Sequence, residues 1–191
     1  CLRYLSSGYR KVKRLLAAVA SLVFLAFSIQ SVAPAAATDL NLIGPGGRIH
    51  GADISRWQHP NDKAIDFLKM HDAGISFVMI KASDTRDDAD LLAVKYLKMD
   101  RTGAQDAGIY TGFYHYAILP DVTSPSAISR DARVQAQKVL WRIASLGGYN
   151  EKDLPVALDL ENNCVRLSST KVCKKYSTRS AATLWSKTFL K

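Results

Sequence analysis

Cysteine and histidine are scarce in this sequence, and their distribution argues against a metal site. The 191 residues contain three cysteines and four histidines. His50, His59 and His71 lack the spacing of metal ligands. No histidine lies near Cys164 and Cys173, the two cysteines of the C-terminal region. We therefore expect no metal and assign these three histidines no role.

Acidic residues are outnumbered, but the excess positive charge is concentrated near the N-terminus. The sequence has 26 Lys and Arg against 17 Asp and Glu, a net charge of +9. Residues 1–37 hold five of the basic residues and no acidic ones, which leaves 21 against 17, or +4, for the rest. That excess favours screened attraction to an anionic polymer. It is too small, and too poorly interleaved with aromatic residues, to indicate nucleic-acid binding.

A hydrophobic run of membrane-spanning length is also missing. The apolar run from Leu15 to Ile29 is short for a span of ~20 residues. Four basic residues between positions 10 and 14 precede it and the small residues of 33–37 follow it, as in a secretory signal peptide. We expect cleavage of 1–37 from an exported protein, with the turn-rich segment 38–48 as a linker. A transmembrane anchor is the alternative.

The two remaining cysteines are expected to form a disulfide bond, because disulfides persist in exported proteins. Cys1 lies within the predicted signal peptide, which leaves Cys164 and Cys173 as a pair. The loop between them is short, so the stabilisation is expected to be modest. Two unrelated thiols are the alternative. The sequence starts at Cys1 rather than Met and ends within a predicted helix, so we interpret it as a fragment.

From residue 49 onward, short apolar strands alternate with amphipathic helices. The predicted strands are 49–55, 76–82, 109–117 and 154–161, and the predicted helices are 61–73, 89–107, 129–145 and one from about residue 176. Gly74, Gly108 and the pair 147–148 stand where helices must end. Four βα units indicate a parallel sheet covered by helices. A doubly wound sheet and a (β/α) barrel both satisfy this pattern.

Polar and ionisable residues collect at the carboxyl ends of the predicted strands. They are Asp53 on the first strand, Lys81 on the second, Tyr114, His115 and Tyr116 on the third, and Asp159 and Glu161 on the fourth. Ligands bind at this edge in barrels and in open α/β sheets alike. The sequence therefore predicts a binding site there.

Asp159 and Glu161 are the main candidates for catalysis. On an extended strand their side chains point to the same face, ~6.6 Å apart along the backbone. Each carboxylate raises the proton affinity of the other, so one can remain protonated as a general acid while its neighbour stays ionised. A solvated strand end or a Mg²⁺ or Ca²⁺ ligand pair is the alternative. Asp53 is a similar candidate, with a turn acid or helix cap as its alternative.

Aromatic side chains near these acids are suited to binding sugar rings, because a ring face stacks while a hydroxyl donates a hydrogen bond. Tyr114, Tyr116 and Trp57 are the candidates. Packing in the core is the alternative for the tyrosines, and a packed loop anchor is the alternative for Trp57. Alternation along the strand places at least one of Tyr114, His115 and Tyr116 in the core. Lys81 would be costly to bury unpaired, so we expect it to meet one of the predicted carboxylates.

Four segments together resemble glycoside hydrolase family 25, the Chalaropsis-type lysozymes. They are 51–58 (GADISRWQ), 77–82 (FVMIKA), 112–116 (GFYHY) and 158–161 (LDLE), in the family's order and spacing. The resemblance implies a modified (β/α) barrel, with residues 49–191 as a partial catalytic domain of about four βα units. Because the family continues with further strands and another acid, the chain is expected to be incomplete, with open strand edges.

The resemblance also implies an activity: hydrolysis of the β-1,4 bond between N-acetylmuramic acid and N-acetylglucosamine in peptidoglycan. It implies that Glu161 is the proton donor and that Asp159 assists the substrate's N-acetyl group or stabilises a cationic transition state. Asp53 matches the acid of the first strand, and Lys81, Tyr114 and Tyr116 fall on or beside groove positions.

The sequence and the resemblance together predict a secreted, wall-associated monomer that acts on peptidoglycan glycan strands. We expect no cofactor and no stable membrane anchor after signal cleavage. Three alternatives remain: a non-catalytic wall-binding module, an inactive fragment of such an enzyme, and a hydrolase of another polysaccharide such as chitin.

Overall fold

Residues 47–191 are described by the structure, a computed structural model. The predicted signal peptide, 1–37, and all but the last two residues of the predicted linker, 38–48, lie outside this range. Both assignments therefore stay predictions. Within the described range, none of the helices combines the length and the apolar character needed to span a bilayer.

The described chain alternates parallel strands with helices and then adds a small hairpin before its last helix. The elements are β1 (His50–Ile54), α1 (Phe67–Asp72), β2 (Ile75–Asp84), α2 (Asp87–Asp106), β3 (Tyr110–Tyr116), α3 (Pro125–Ser145), β4 (Ala157–Asp159), β5 (Cys164–Leu167), β6 (Cys173–Tyr176) and α4 (Arg179–Phe189). Two 3-10 turns, Arg56–Gln58 and Pro60–Asp62, lie between β1 and α1.

The strand order decides between the two architectures that the sequence left open. The four parallel strands lie in the order β1-β2-β3-β4, so each pairs with the strand before it in the chain. A doubly wound sheet reverses its strand order at a switch point, whereas a (β/α) barrel adds its strands sequentially. The sheet is therefore a curled half-barrel of four strands, as predicted from the family resemblance.

Two close approaches between strands require glycine. Gly51 of β1 pairs with Phe77 of β2, and Gly112 of β3 pairs with Met79 of β2. A Cβ on Gly51 would lie 2.2 Å from the Phe77 ring, and one on Gly112 would lie 2.3 Å from the Met79 sulfur. The large side chains of β2 thus fill one face of the sheet over backbone that carries no side chain.

The other face of the sheet packs against the helices and forms the hydrophobic core. Val78 and Phe113 are fully buried there, and Trp185 and Phe189 of α4 belong to the same core. Because side chains alternate along a strand, residues at the intervening positions, including Lys81 and those that become the site, face away from this core.

The predicted helix at 61–73 is wrong over its first half. Asn61 and Asp62 have φ values of 55° and 60°, which a continuous right-handed helix does not allow. The α-helix begins only at Phe67, where the carboxylate of Asp66 accepts a hydrogen bond from the Lys69 amide at 3.1 Å. By contrast, the predicted helix-ending glycines are confirmed, with φ between 82° and 90° at Gly74, Gly108, Gly147 and Gly148.

Three other elements have a boundary that lies three or more residues from the predicted one. The helix predicted from 129 starts one turn earlier, because Ser124 caps it and Pro125 occupies its first turn. The fourth strand, predicted over 154–161, covers only Ala157–Asp159. Pro155 has no N–H for strand pairing, and beyond Asp159 the partner strand β3 has ended. The last helix starts at Arg179 rather than near residue 176.

The predicted disulfide bond is present and closes the hairpin. Cys164 of β5 and Cys173 of β6 are joined with an S–S distance of 2.08 Å. The carboxylate of Asp121 binds the same hairpin, with Lys175 Nζ at 2.6 Å and Arg166 Nε at 2.7 Å. The hairpin follows directly after Glu161, so it fixes the chain just beyond that residue.

Candidate functional site

A cleft of about 420 Å³ opens at the carboxyl ends of the four parallel strands. All seven residues predicted for catalysis or substrate binding line it: Asp53, Trp57, Lys81, Tyr114, Tyr116, Asp159 and Glu161. Parallel strands end at one edge of the sheet, so residues far apart in sequence meet there. Ser55, Arg56, Gln58 and Arg86 also line this cleft, and the sequence did not single them out.

Strand register explains why these side chains meet. Lys81 pairs with Tyr114, and Tyr116 pairs with Asp159. Paired residues on neighbouring strands project to the same face, so the cleft side chains lie on the face opposite the core. Glu161 lies beyond β4, so its presence in the cleft does not depend on the extended strand that the sequence predicted.

The two acids near β4 differ in exposure. Asp159 is half-buried and Glu161 is exposed. Burial raises the pKa of Asp159 above its ordinary value, the charge of Glu161 raises it further, and Lys81 acts in the opposite direction. The hydroxyl of Tyr116 donates a hydrogen bond to Glu161 Oε2 at 3.1 Å. This bond leaves Glu161 Oε1 available to a ligand.

Tyr114 and Tyr116 of β3 stay protonated and can donate hydrogen bonds. Burial, followed by the charges of Asp53 and Asp159, raises the pKa of Tyr114 to about 12. Burial and the nearby Glu161 carboxylate raise the pKa of Tyr116. Near neutral pH the Tyr114 hydroxyl can therefore donate to a ligand oxygen, while the Tyr116 hydroxyl donates to Glu161 Oε2.

Lys81 does not pair with the carboxylates that the sequence named, so that prediction is wrong. Its Nζ lies 2.6 Å from Asp84 Oδ2. Arg86 contacts the same carboxylate through Nε at 3.0 Å and Nη2 at 2.9 Å. Burial alone would raise the pKa of Asp84, but hydrogen bonds from Arg86 and Lys81 outweigh it and hold the pKa at about 2.

Asp84 was missed because the second strand was predicted to end at residue 82. The strand continues to Asp84, which is fully buried. Extending the strand by two residues would have put a carboxylate at its carboxyl end, where the other strands carry theirs. That was the available signal.

Lys81 and Arg86 also contact an aromatic ring of the site. Lys81 Nζ lies 4.6 Å from the ring centroid of Tyr116, and the Arg86 guanidinium carbon lies 5.0 Å from it. Cations at these distances are attracted by the ring face. Asp84 is thus connected through two cations to Tyr116, whose hydroxyl holds Glu161.

His115 is a core residue and does not reach the cleft. It is fully buried, its Nδ1 lies 2.8 Å from Ser83 Oγ, and its ring stacks on Phe189 with centroids 5.2 Å apart. Burial lowers the pKa of His115 to about 4, so the ring is neutral near neutral pH. The prediction that at least one of the three residues 114–116 belongs to the core is confirmed.

Over residues 47–191, no group of three or more His, Cys, Asp or Glu side chains is arranged to hold a metal ion. The chemistry available in the cleft is that of its carboxylates, tyrosine hydroxyls, cations and aromatic rings. This set suits acid-assisted cleavage of a polyhydroxylated ligand.

Comparison with known proteins gives consistent matches. A model of the glycosyl hydrolases family 25 matches residues 52–191. Lysozyme M1 of Streptomyces globisporus is 33% identical over 148 residues, which cover 72% of this chain and 43% of that protein. This chain therefore spans less than half the length of that curated relative.

Two solved structures are also similar. A muramidase from Acremonium alcalophilum has a TM-score of 0.48 at 28% identity, covering 74% of this chain and 58% of its own. A bacterial lysozyme from Streptomyces coelicolor has a TM-score of 0.46 at 30% identity, covering 73% and 54%.

Proposed function

Because the chain belongs to glycosyl hydrolase family 25, we propose that it is part of a secreted lysozyme. The proposed reaction is hydrolysis of the β-1,4 bond between N-acetylmuramic acid and N-acetylglucosamine in bacterial peptidoglycan. The export step of this proposal rests on the signal-like sequence of residues 1–37. The curated relative named lysozyme supports the choice of substrate.

The observation that carries the proposal is the convergence of three carboxylates in one cleft. Asp53, Asp159 and Glu161 come from the carboxyl ends of two strands and the loop after β4, and all line the same cavity with Tyr114, Tyr116 and Trp57. Glycosidases use a carboxyl pair across the scissile bond. Aromatic walls supply faces for sugar stacking.

Glu161 is the proposed general acid. It protonates the oxygen of the scissile bond, so that the leaving sugar departs as a neutral alcohol. The hydrogen bond from Tyr116 to Oε2 orients the carboxyl group and leaves Oε1 to carry the transferred proton. Exposure of Glu161 to the cleft gives the substrate access to it.

Asp159 is the proposed supporting charge. The departing group leaves positive charge on the sugar ring, and an ionised carboxylate nearby stabilises it, directly or by orienting the substrate's N-acetyl group. Partial burial strengthens this interaction, because charges act more strongly where water is excluded. Asp53 contributes negative charge from the end of β1, and the Tyr114 hydroxyl donates a hydrogen bond to the substrate.

The test is clearing of a peptidoglycan suspension by the full-length protein and by its Glu161→Gln variant. General acid catalysis contributes typically about 10² to 10⁴ in rate, so the variant should clear at least about a hundred times more slowly. Glu151→Gln, an exposed glutamate outside the cleft, is the matched control and should clear at the normal rate.

Two results would contradict the assignment. Equal clearing by the unsubstituted protein and Glu161→Gln would remove Glu161 as the acid. No clearing by the unsubstituted protein would favour a wall-binding module without catalysis. Mass analysis of the released fragments separates a lysozyme from a chitin hydrolase, since only the former yields muramic acid at the reducing end.

A further inference from the structure

We propose that Arg56, stacked on Trp57, forms a subsite for a carboxylate group that the substrate carries beside its sugar backbone. This proposal rests on the proposed function and deepens it, because it says which chemical feature of the glycan the cleft recognises. It concerns recognition, not bond cleavage.

The balance of charge in the cleft points to Arg56. Three basic residues line the cavity: Arg56, Lys81 and Arg86. Lys81 and Arg86 both form ion pairs with Asp84, at 2.6 Å and 2.9 Å. Within residues 47–191, no carboxylate forms an ion pair with Arg56. Its positive charge is therefore available to an anionic group that enters the cleft.

The guanidinium of Arg56 is oriented by an aromatic ring. Its central carbon lies 4.2 Å from the centroid of the Trp57 ring. A stacked guanidinium keeps its in-plane N–H groups free, and these match the two oxygens of a carboxylate. Trp57 is 74% exposed, so its ring adds apolar surface to the cleft without being committed to the core.

The turn that carries the pair is held by local hydrogen bonds. The Ser55 amide donates to Gln58 Oε1 at 2.8 Å, and the Trp57 amide donates to Ser55 Oγ at 3.4 Å. The first bond belongs to a capping box, whose reciprocal bond runs from the Gln58 backbone to the Ser55 side chain.

The next residue attaches the turn to α2. His59 is buried, with Nε2 3.0 Å from Asp100 Oδ2 and Nδ1 2.9 Å from the Lys63 carbonyl oxygen. Its ring stacks on Tyr96 with centroids 3.9 Å apart. The Arg56 and Trp57 side chains therefore project from a fixed backbone, which lowers the entropy lost when a ligand binds.

A carboxylate is the anion that the proposed substrate presents. One of its two alternating sugars bears a lactyl group that ends in a carboxyl, which is either free or extended by a peptide with its own carboxylates. Chitin has the same backbone linkage and no such group. A carboxylate subsite would thus make the cleft selective between two polymers that its catalytic acids alone would treat alike.

The experiment measures binding by titration calorimetry, in the full-length protein with Glu161→Gln so that no ligand is consumed. Three tetrasaccharides share one sugar backbone: one with free lactyl carboxylates, one with these converted to neutral methylamides, and one extended by L-alanyl-D-glutamate. At least one charged ligand should bind about tenfold more tightly than the neutral one, the effect of one charge-assisted pair. Whichever charged ligand binds more tightly identifies the recognised carboxylate as that of the lactyl group or that of the peptide.

Adding Arg56→Gln should abolish the preference for charge, and Arg56→Lys should retain part of it. Arg133→Gln, an exposed arginine outside the cleft, is the matched control and should leave all three affinities unchanged. Equal binding, or no measurable binding, of the three ligands would overturn the proposal, as would a preference that survives Arg56→Gln. Because the readout is affinity, failure of the clearing assay would count against the enzyme and leave this result to stand separately.

Discussion

At the carboxyl end of β2, one buried carboxylate organises most of the positive charge of the cleft. Asp84 accepts hydrogen bonds from Lys81 and from the side chain and amide of Arg86. A buried charge is tolerated only when it is paired in this way. The pairing also holds two cations against the Tyr116 ring, so a residue that touches no predicted substrate group helps to position the side chain that binds Glu161.

We predict that Asp84→Asn lowers the free energy of unfolding at pH 7 by about 2 kcal/mol, the equivalent of a carboxyl pKa held at about 2 instead of 3.8. The folded-state pKa lies below the unfolded one, so this contribution is complete above pH 4 and is lost as the pH falls through about 2. Urea unfolding from pH 7 to pH 2 measures it. The two proteins should converge at low pH, and a constant difference would contradict the pKa basis.

At the scale of elements, the turn after β1 is positioned by a helix that comes much later in the chain. His59, which joins the two 3-10 turns, and Asp100 of α2 form a buried pair whose side chains are at most 2% exposed. Burial raises the pKa of Asp100, while the hydrogen bond from His59 acts in the opposite direction. Within the described residues, Asp100 Oδ1 has no hydrogen-bond partner, so this carboxylate depends on its contact with His59.

We predict a coupling energy of about 2 kcal/mol between His59→Phe and Asp100→Asn in a double-mutant cycle of unfolding free energies. Phenylalanine keeps the stack on Tyr96 and removes the polar contact, so the cycle isolates that contact. Asp66→Asn with Lys69→Gln, an exposed pair 3.2 Å apart, is the control cycle and should give less than about 0.5 kcal/mol. A coupling near zero would mean that the contact between His59 and Asp100 adds nothing to the stack on Tyr96 and the bond to the Lys63 carbonyl.

At the scale of the whole molecule, the candidate catalytic side chains lie at the carboxyl ends of the parallel strands. The face of the sheet that points away from them packs against the helices and forms the core. The cleft has both signs of charge, with carboxylates around the proposed scissile bond and Arg56 on the turn after β1. Beyond residue 37 the chain carries a net charge of +4. Such an excess adds a weak, long-range attraction to an anionic polymer, separate from contacts within the cleft.

We predict that binding of the full-length protein to intact cell walls weakens as salt is raised from about 0.1 M to about 1 M, because the Debye length falls from about 10 Å to about 3 Å. Cosedimentation with purified walls measures the bound fraction. A neutral osmolyte at matched osmolarity should leave binding unchanged. Binding that does not respond to salt would indicate that cleft contacts alone hold the protein on the wall.

The sequence by itself determined the strand and helix alternation, the disulfide pair and the edge at which the cleft forms. Apolar periodicity and turn residues are local signals, and parallel strands necessarily bring their carboxyl ends together. That is why Asp53, Asp159 and Glu161 could be grouped from their positions in the sequence, although their catalytic roles stay proposals.

Tertiary structure decided which partners the individual side chains meet. Lys81 was expected to meet a predicted acid, but the neighbouring backbone brings it to Asp84. His115 lies between two residues of the cleft, Tyr114 and Tyr116, but the alternation along β3 places its side chain in the core against Phe189. The turn that carries Arg56 is held by packing against α2, and no ion-pair partner reaches Arg56 within the described residues. Both facts depend on neighbours in three dimensions, which a local sequence pattern does not encode.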